Sequence, residues 1–285
     1  MTILAIRHID ELRARLDEAR QQGKKIGVVP TMGNLHEGHL QLIRLAHEHA
    51  DVVVATIFVN QLQFGLNEDW DKYPRTFDSD RAMLDNEGCH ILFAPDDLEM
   101  YPNGIDNQTR VLCPTMTDVL CGASRPGHFE GVTTVVTKLF HIVEPDVAIF
   151  GNKDFQQIAI IRRMAADLCM RVNIIGAPTA RDEDGLALSS RNRFITDDER
   201  PRANQLYQTL SWVQDQIQSG NRDFAELEEI GKKQVIDAGF RPDYLSVCNA
   251  QKLEPALDDD DDLACLLYTS PSPRDLSTSR MPSSA

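Results

Sequence analysis

Ile26-Gly27-Val28-Val29-Pro30-Thr31-Met32-Gly33-Asn34-Leu35-His36-Glu37-Gly38-His39-Leu40 reads as a strand handing over to a helix. The apolar run with Val28-Val29 is a buried strand. Pro30 and Gly33 stop it and force a turn. Leu40, Ile43 and Ala46-His47 then recur at helical spacing. His36 and His39 therefore fall at a helix N-terminus, where free backbone N–H groups and the positive end of the helix dipole favour a phosphate. Gly38 lets the backbone come close to a bound group. Two imidazoles there can donate hydrogen bonds to phosphoryl oxygens as charge shifts in a transition state. Two surface histidines would share the bare H-x-x-H spacing, but not the strand, glycine and helix around it. No Walker-type loop is present.

The next apolar run, Val52 to Val59, is a second buried strand, and strand–helix–strand over this length implies parallel strands. Asn60-Gln61-Leu62-Gln63-Phe64 lies past its carboxyl end, where open α/β sheets bind ligands. Ile91 to Pro95 is a third strand. Val147 to Phe150 is a fourth, running into Gly151-Asn152-Lys153-Asp154-Phe155-Gln156-Gln157 and a helix bearing Ile158, Ile161 and Ala165. Lys153 supplies a point charge for phosphate. Asp154 is placed either as a helix N-cap or as a ligand group. Val172 to Ile175 is a further strand. Val132, Val135, Val136, Leu139, Phe140 and Val143 form the stripe of a packed helix. Residues 96–130 are long for a connection without structure and fit a lid or binding loop. Within them Gly122 to Phe129 holds Arg125 and His128 between glycines.

After Pro178 the pattern changes. A charged turn, Arg181 to Gly185, precedes Leu188-Ser189-Ser190-Arg191-Asn192. Thr196 and Glu199 form a capping box. Helices follow through Leu206, Leu210, Val213 and Ile217, and through Phe224, Leu227, Ile230 and Val235, then a strand at Asp243 to Val247. This is α+β order, which puts a domain boundary near 178. The expected division is 1–177 as a Rossmann-like parallel sheet with helices on both faces, 178–264 as a small α+β lid, and 265–285 as a disordered tail.

The chain has 285 residues, 42% of them hydrophobic, enough for a substantial core. A net charge of −15 disfavours nucleic acid and anionic membrane as partners, so an anionic ligand needs a local positive pocket. No run is long and apolar enough to span a membrane, and Met1-Thr2-Ile3-Leu4 lacks the pattern of a signal peptide. Six cysteines without a C-x-x-C pair argue against zinc or a disulfide framework and fit a reducing, cytoplasmic setting. No protein ligands for a metal stand out.

His36-Glu37-Gly38-His39 resembles the H-x-G-H signature of the nucleotidylyl-transfer superfamily. With Val29 to His39, Ile57-Phe58-Val59-Asn60 and Gln63-Phe64, Tyr73-Pro74-Arg75-Thr76, Gly122 to Phe129, Gly151 with Lys153 to Gln157, and Asp184 to Asn192, the chain is similar to the pantoate–β-alanine ligase family. These pieces stand in family order over roughly residues 1–260. The resemblance implies ATP-dependent ligation of (R)-pantoate and β-alanine through a pantoyl-adenylate, releasing AMP and pyrophosphate, with Mg²⁺ and in a homodimer. It implies that Met32, Gly33, Asn34, Leu35, His36, Glu37, Gly38 and His39 line the ATP site. His39 would be the proton donor to the leaving group. Gly151, Asn152, Lys153 and Asp154 would hold the nucleotide and Ala180 would meet adenine. Leu188, Ser189, Ser190 and Arg191 would close over the phosphates. Gln63, Gln157 and Asn60 would serve pantoate. His36, Lys153 and Arg191 would share the charge stabilisation with His39. Another nucleotidylyltransferase, or an ATP-binding protein without turnover, would share the H-x-G-H site.

Two departures stand out. Gln61 replaces the family's proline, which frees φ and restores an N–H, so Gln63 is expected to be less firmly aimed. The apolar run Leu263 to Leu267 gives way to Tyr268-Thr269-Ser270-Pro271, and Pro271 and Pro273 cannot continue a central strand. The sequence therefore predicts that the last strand of the small domain is lost, and that residues from about 266 onward are foreign to the family.

Overall fold

The computed structural model describes residues 2–65, 70–190, 192, 195–270 and 281–284. Six parallel strands form the main sheet: β1 Leu4–Ile6, β2 Ile26–Thr31, β3 Val52–Ile57, β4 Ile91–Phe93, β5 Val147–Gly151 and β6 Asn173–Ala177. Their spatial order is β1-β4-β3-β2-β5-β6. The helices between them are α1 Ile9–Gln21, α2 Glu37–His49, α3 Phe77–Asn86, α4 Asp97–Met100, α5 Cys121–Ser124, α6 His128–Val143 and α7 Phe155–Asp167.

The strands are apolar on both faces because both faces are covered. Along β2, Ile26 and Val28 enter one core with α1, α6 and α7, while Val29 enters the other with α2 and α3. Successive residues of β3 and β5 divide in the same way: Val54 and Phe150 go to the first core, Val53 and Ile149 to the second. Strand side chains alternate between faces, so one Val-rich run can serve two layers. The chain leaves β2 toward β3 on one side and reaches β5 on the other. The carboxyl ends of β2 and β5 therefore flank the point where strand order reverses, which is where a sheet of this type opens a crevice.

Several boundaries differ from the sequence reading. Pro30 lies inside β2, paired with Thr56 of β3. β5 pairs with β2 only at Gly27 and Val28, so the missing N–H of Pro30 removes no ladder bond to β5. The strand at β1, too short to show periodicity, was not expected. The 96–130 segment carries α4, α5 and a 3-10 turn at Ile105–Asn107.

Beyond β6 come α8 Arg200–Ala203, α9 Gln205–Gln218 and α10 Phe224–Asp237, with an antiparallel sheet of β7 Arg241–Asn249, β8 Leu263–Ser270 and β9 Met281–Ser284. Leu206, Leu210, Val213, Phe224 and Val235 of the helices pack with Leu245, Val247, Cys265 and Leu267 of the sheet. The expected loss of the last strand does not occur. β8 continues through Tyr268 and Thr269, both buried and paired with Tyr244 and Pro242 of β7, between which the register shifts by one residue. Tyrosine and threonine suit a strand, and Tyr268 stacks on Tyr244 at 5.9 Å between ring centroids. Residues 265–270 thus belong to the sheet, and Met281–Ser284 pairs along its edge, where Pro282 is tolerated. Pro271 and Pro273 lie outside the described residues. In the acidic run Asp258 to Asp262, which precedes β8, Asp260 accepts from the Leu257 N–H and from Asn249 Nδ2. All six cysteines are free thiols.

Candidate active site

The turn after β2 is built on a buried carboxylate. Asp80 of α3 accepts the N–H groups of Asn34 and Leu35, both at 2.9 Å, and the Thr76 hydroxyl at 3.0 Å. Gly33 and Asn34 both have positive φ, 81° and 52°, the left-handed region that glycine and asparagine reach most cheaply. This turn delivers His36 to the N-cap of α2 and His39 to its first turn.

The two rings cap the helix reciprocally. The Gly38 N–H donates to His36 Nδ1 at 3.2 Å, and the His36 N–H donates to His39 Nδ1 at 3.3 Å. With both Nδ1 atoms accepting, the proton of each neutral ring sits on Nε2. Burial, then the positive charge of Lys153, lowers the His36 pKa to about 4. Burial, then His36 and Lys153, lowers that of His39 to about 3. Both rings are therefore neutral hydrogen-bond donors near pH 7. Gly38 leaves the ring its place: a Cβ there would lie 3.0 Å from the His36 ring and 3.4 Å from Ala180 Cβ, so the ring would have to shift.

Lys153 arrives from the neighbouring strand, on the 3-10 turn Asn152–Asp154 that joins β5 to α7. Its Nζ lies 3.7 Å from Asp154 Oδ1. Asp154 occupies the N-cap position of α7, yet its side chain makes no capping bond, so the capping role is not the one it fills.

The third side is the 3-10 turn Gln61–Gln63 past β3. Gln63 is held by its neighbours on all sides. Asn60 Nδ2 donates to Gln63 Oε1 and to the Gly131 carbonyl, each at 3.1 Å. The Tyr101 hydroxyl donates to Asn60 Oδ1 at 2.7 Å, and burial raises the Tyr101 pKa, keeping it a donor. Gln63 Nε2 meets Met32 Sδ at 3.2 Å. The freedom expected from Gln61 in place of proline is thus removed by side-chain contacts.

These groups share one cleft of about 1290 Å³ of empty space including its open mouth. Met32, His36, Gly38, His39, Asn60, Gln63, Gly151, Lys153, Asp154, Gln157, Ala180, Leu188, Ser189 and Ser190 line it. The last four come from beyond β6. A short hairpin, bridged at Arg181 and Ala187, presents them, with the Leu188 N–H donating to the Ala180 carbonyl at 2.8 Å. Arg200 pins the hairpin through Asp182 at 2.6 Å and Asp184 at 2.7 Å, and Arg181 lies over Tyr207 at 4.0 Å.

Not every expected residue reaches the cleft. Gly33, Asn34 and Leu35 form the turn beneath it and give two of their amides to Asp80. Glu37 is exposed and pairs with Arg44 at 2.5 Å. Asn152 packs its side chain against Gly176 of β6. Arg191 lies outside the described residues. Conversely, Val132, Val135, Val136 and Leu139 of α6 and Phe58 form an apolar wall of the cleft. The sequence showed them only as core, since a stripe that covers a sheet and a stripe that covers a ligand have the same period. Tyr101 carried no local signal at all.

The sequence profile described as "Pantoate-beta-alanine ligase" matches residues 4–271. A pantothenate synthetase of Saccharophagus degradans is 61% identical over 264 residues, covering 92% of this chain and 93% of that protein. One of Cellvibrio japonicus is 58% identical, covering 92% and 94%. Among solved structures, a pantothenate synthetase of Thermus thermophilus superposes with a TM-score of 0.90 at 40% identity, covering 99% of each chain. A pantoate-beta-alanine ligase of Francisella tularensis, complexed with beta-gamma ATP and beta-alanine, gives 0.81 at 31% identity, covering 99% and 97%.

Proposed function

The chain belongs to the pantoate–β-alanine ligase family, and from that premise we propose how its residues divide the work of joining pantoate to β-alanine at the expense of ATP. One observation carries the division: the turns after β2, β3 and β5, the last two of them 3-10 turns, together with the start of α7, bring His36, His39, Lys153, Gln63 and Gln157 to a single cleft.

ATP lies with its phosphates over the start of α2, where the helix dipole and the two Nε2–H donors face negative charge. Lys153 adds the point charge, and Ala180 meets adenine through its backbone. Asp154 is directed to the ribose. Ser189 and Ser190 cover the phosphates, together with Arg191. Gln63 and Gln157 hydrogen-bond pantoate against the apolar wall of α6, and Gln63 also helps to place β-alanine. A carboxylate oxygen of pantoate attacks the α-phosphorus, and the bond to the bridging oxygen breaks, releasing pyrophosphate. The β-alanine amine then attacks the acyl carbon of the pantoyl-adenylate. The acyl–phosphate bond breaks, AMP leaves, and the amine loses a proton.

Neither step asks for a protein nucleophile; both ask for positioning and charge stabilisation. His39 contributes a hydrogen bond from Nε2 to the leaving pyrophosphate instead of handing over a proton, in keeping with a neutral ring whose Nδ1 already accepts. Mg²⁺ enters on the ATP phosphates and water as part of the substrate. Among the described residues no group of three or more His, Cys, Asp and Glu side chains is arranged for a metal. Residues 1–177 bind the nucleotide and pantoate, and the unit from 178 onward, with β8 and β9 included, acts as the lid. A homodimer and a cytoplasmic setting complete the proposal; no helix among the described residues is long and apolar enough to cross a membrane.

The test is AMP release from ATP with pantoate, measured with and without β-alanine. Amine-dependent AMP and pantothenate are expected. Pyrophosphate release indifferent to the amine would point to a transferase that stops at nucleotidyl transfer. That alternative is not favoured by relatives named for the complete ligation.

A further inference from the structure

Arg125 and His128 lie outside the groups given a role above, yet both turn toward the same atom. His128 Nδ1 lies 2.7 Å from the Gln63 carbonyl oxygen, and Arg125 Nη2 reaches that oxygen at 3.4 Å. Arg125 Nη1 lies 3.0 Å from His128 Nε2. A guanidinium always donates, so Nε2 of His128 accepts. Nδ1 then carries the proton and donates to the carbonyl. A fixed cation thus sets the tautomer of an imidazole that grips a backbone oxygen in the substrate turn.

The close approach behind this contact is structural. α6 starts at His128, and its fourth residue is Gly131. A Cβ on Gly131 would lie 2.3 Å from the Leu62 carbonyl oxygen and 2.5 Å from the Gln63 nitrogen. The first turn of α6 is therefore seated directly on the Gln61–Gln63 turn. Gln63 is held at its side-chain oxygen by Asn60 and at its main-chain oxygen by His128 and Arg125. Fixing both ends leaves the Nε2 group little freedom beyond the direction in which it faces the cleft.

We propose that His128, with its tautomer set by Arg125, is a positioning residue for the pantoate subsite, acting through the backbone of Gln63. The proposal rests on the assignment of Gln63 to pantoate in the preceding section. Two side chains thus restrain the Gln61–Gln63 turn from outside it.

The test compares His128→Phe, which keeps the ring's bulk but has no donor, with His128→Asn, whose amide nitrogen stands where Nδ1 stood. His128→Phe is expected to raise the pantoate KM about tenfold, the scale of one lost hydrogen bond at a well-aimed group, with the ATP KM within about twofold. His128→Asn is expected to recover most of the loss. Arg125→Met, which keeps the aliphatic stem, should show a smaller selective rise and remains available if His128→Phe folds poorly. An unchanged pantoate KM in both the Phe and Met variants overturns the proposal, as does equal impairment of the Phe and Asn variants. Should the unaltered chain make no AMP from ATP and pantoate, the substrate assignment falls instead. The clamp is then decided by amide exchange at Gln63 and Phe64, faster in His128→Phe and unchanged in His128→Asn if the clamp exists.

Discussion

The rings of His36 and His39 lie 4.1 Å apart, centroid to centroid, and each accepts at Nδ1 an N–H from the turn they share. Aim and tautomer are therefore set by the backbone before any ligand arrives. Replacing His39 by alanine removes one prepositioned donor and should lower the rate of adenylate formation by about 10²- to 10³-fold. Single-turnover release of pyrophosphate from ATP and pantoate measures it. Near-normal turnover would exclude the role given to His39.

The same pair governs acid stability. Both pKa values are lowered on folding, to about 4 and about 3, whereas the unfolded chain protonates near about 6.5. Below that pH the unfolded state binds more protons, so stability is complete above about 6.5 and is lost as pH falls through the interval toward the folded values. Near pH 5 these two groups should make stability rise with pH, each ring by at most about 1.4 kcal/mol per pH unit and the half-buried His36 by less than His39. Urea titrations at several pH values should show that slope in the unaltered chain and its loss in a His36→Gln, His39→Gln double variant.

Asp80 is predicted to matter more for the nucleotide than its distance from the cleft suggests. It is 1% exposed and accepts two turn amides and the Thr76 hydroxyl. Asp80→Ala leaves those donors unpaired and should cost about 3 kcal/mol of unfolding free energy. The ATP KM should rise as the turn before His36 loosens. Chemical denaturation and steady-state kinetics report the two effects separately.

Gly131→Ala tests the seating of α6. The added methyl would meet backbone atoms of Leu62 at 2.3 and 2.4 Å, and backbone cannot swing aside as a flexible side chain can. A loss of about 1–3 kcal/mol is expected, together with a higher pantoate KM from displacement of the Gln61–Gln63 turn. A variant as stable and as active as the parent would show that the helix slides freely.

Gln61→Pro should be benign. Gln61 is exposed, stands first in its 3-10 turn, and follows Asn60 in an extended conformation, φ −76° and ψ 107°, which a following proline accepts. A gain of about 0.4–1 kcal/mol is expected from the restricted unfolded chain. Pantoate KM should stay the same, since Gln63 is already held. Thermal melting and kinetics check both statements.

The half of the cleft around His36 and Lys153, proposed for the nucleotide, was readable because its elements are local. A Val-rich run, a turn and a capped helix lie within fifteen residues of one another around His36, and a second such junction surrounds Lys153. The half around Gln63, proposed for pantoate, was readable only in part. Gln63 stood at a strand end, but Tyr101, 41 residues from Asn60, and His128, 65 residues from Gln63, meet it only through the folded chain. The wall of α6 was visible as a stripe and invisible as a lining. β8 was misjudged at Tyr268 and Thr269 because turn-forming neighbours outweighed two residues that pair well in a sheet. Its register with β7 and the stack on Tyr244 are tertiary facts.

Gln156 and Gln157 are chemically identical neighbours with opposite surroundings. Gln156 is buried, accepting from the Cys121 N–H and donating to the Met116 and Val119 carbonyls, while Gln157 lines the cleft. A one-residue insertion or deletion between Gly151 and Gln156 would turn α7 by about 100° and exchange the dry amide for the wet one. The length of this junction is therefore locked.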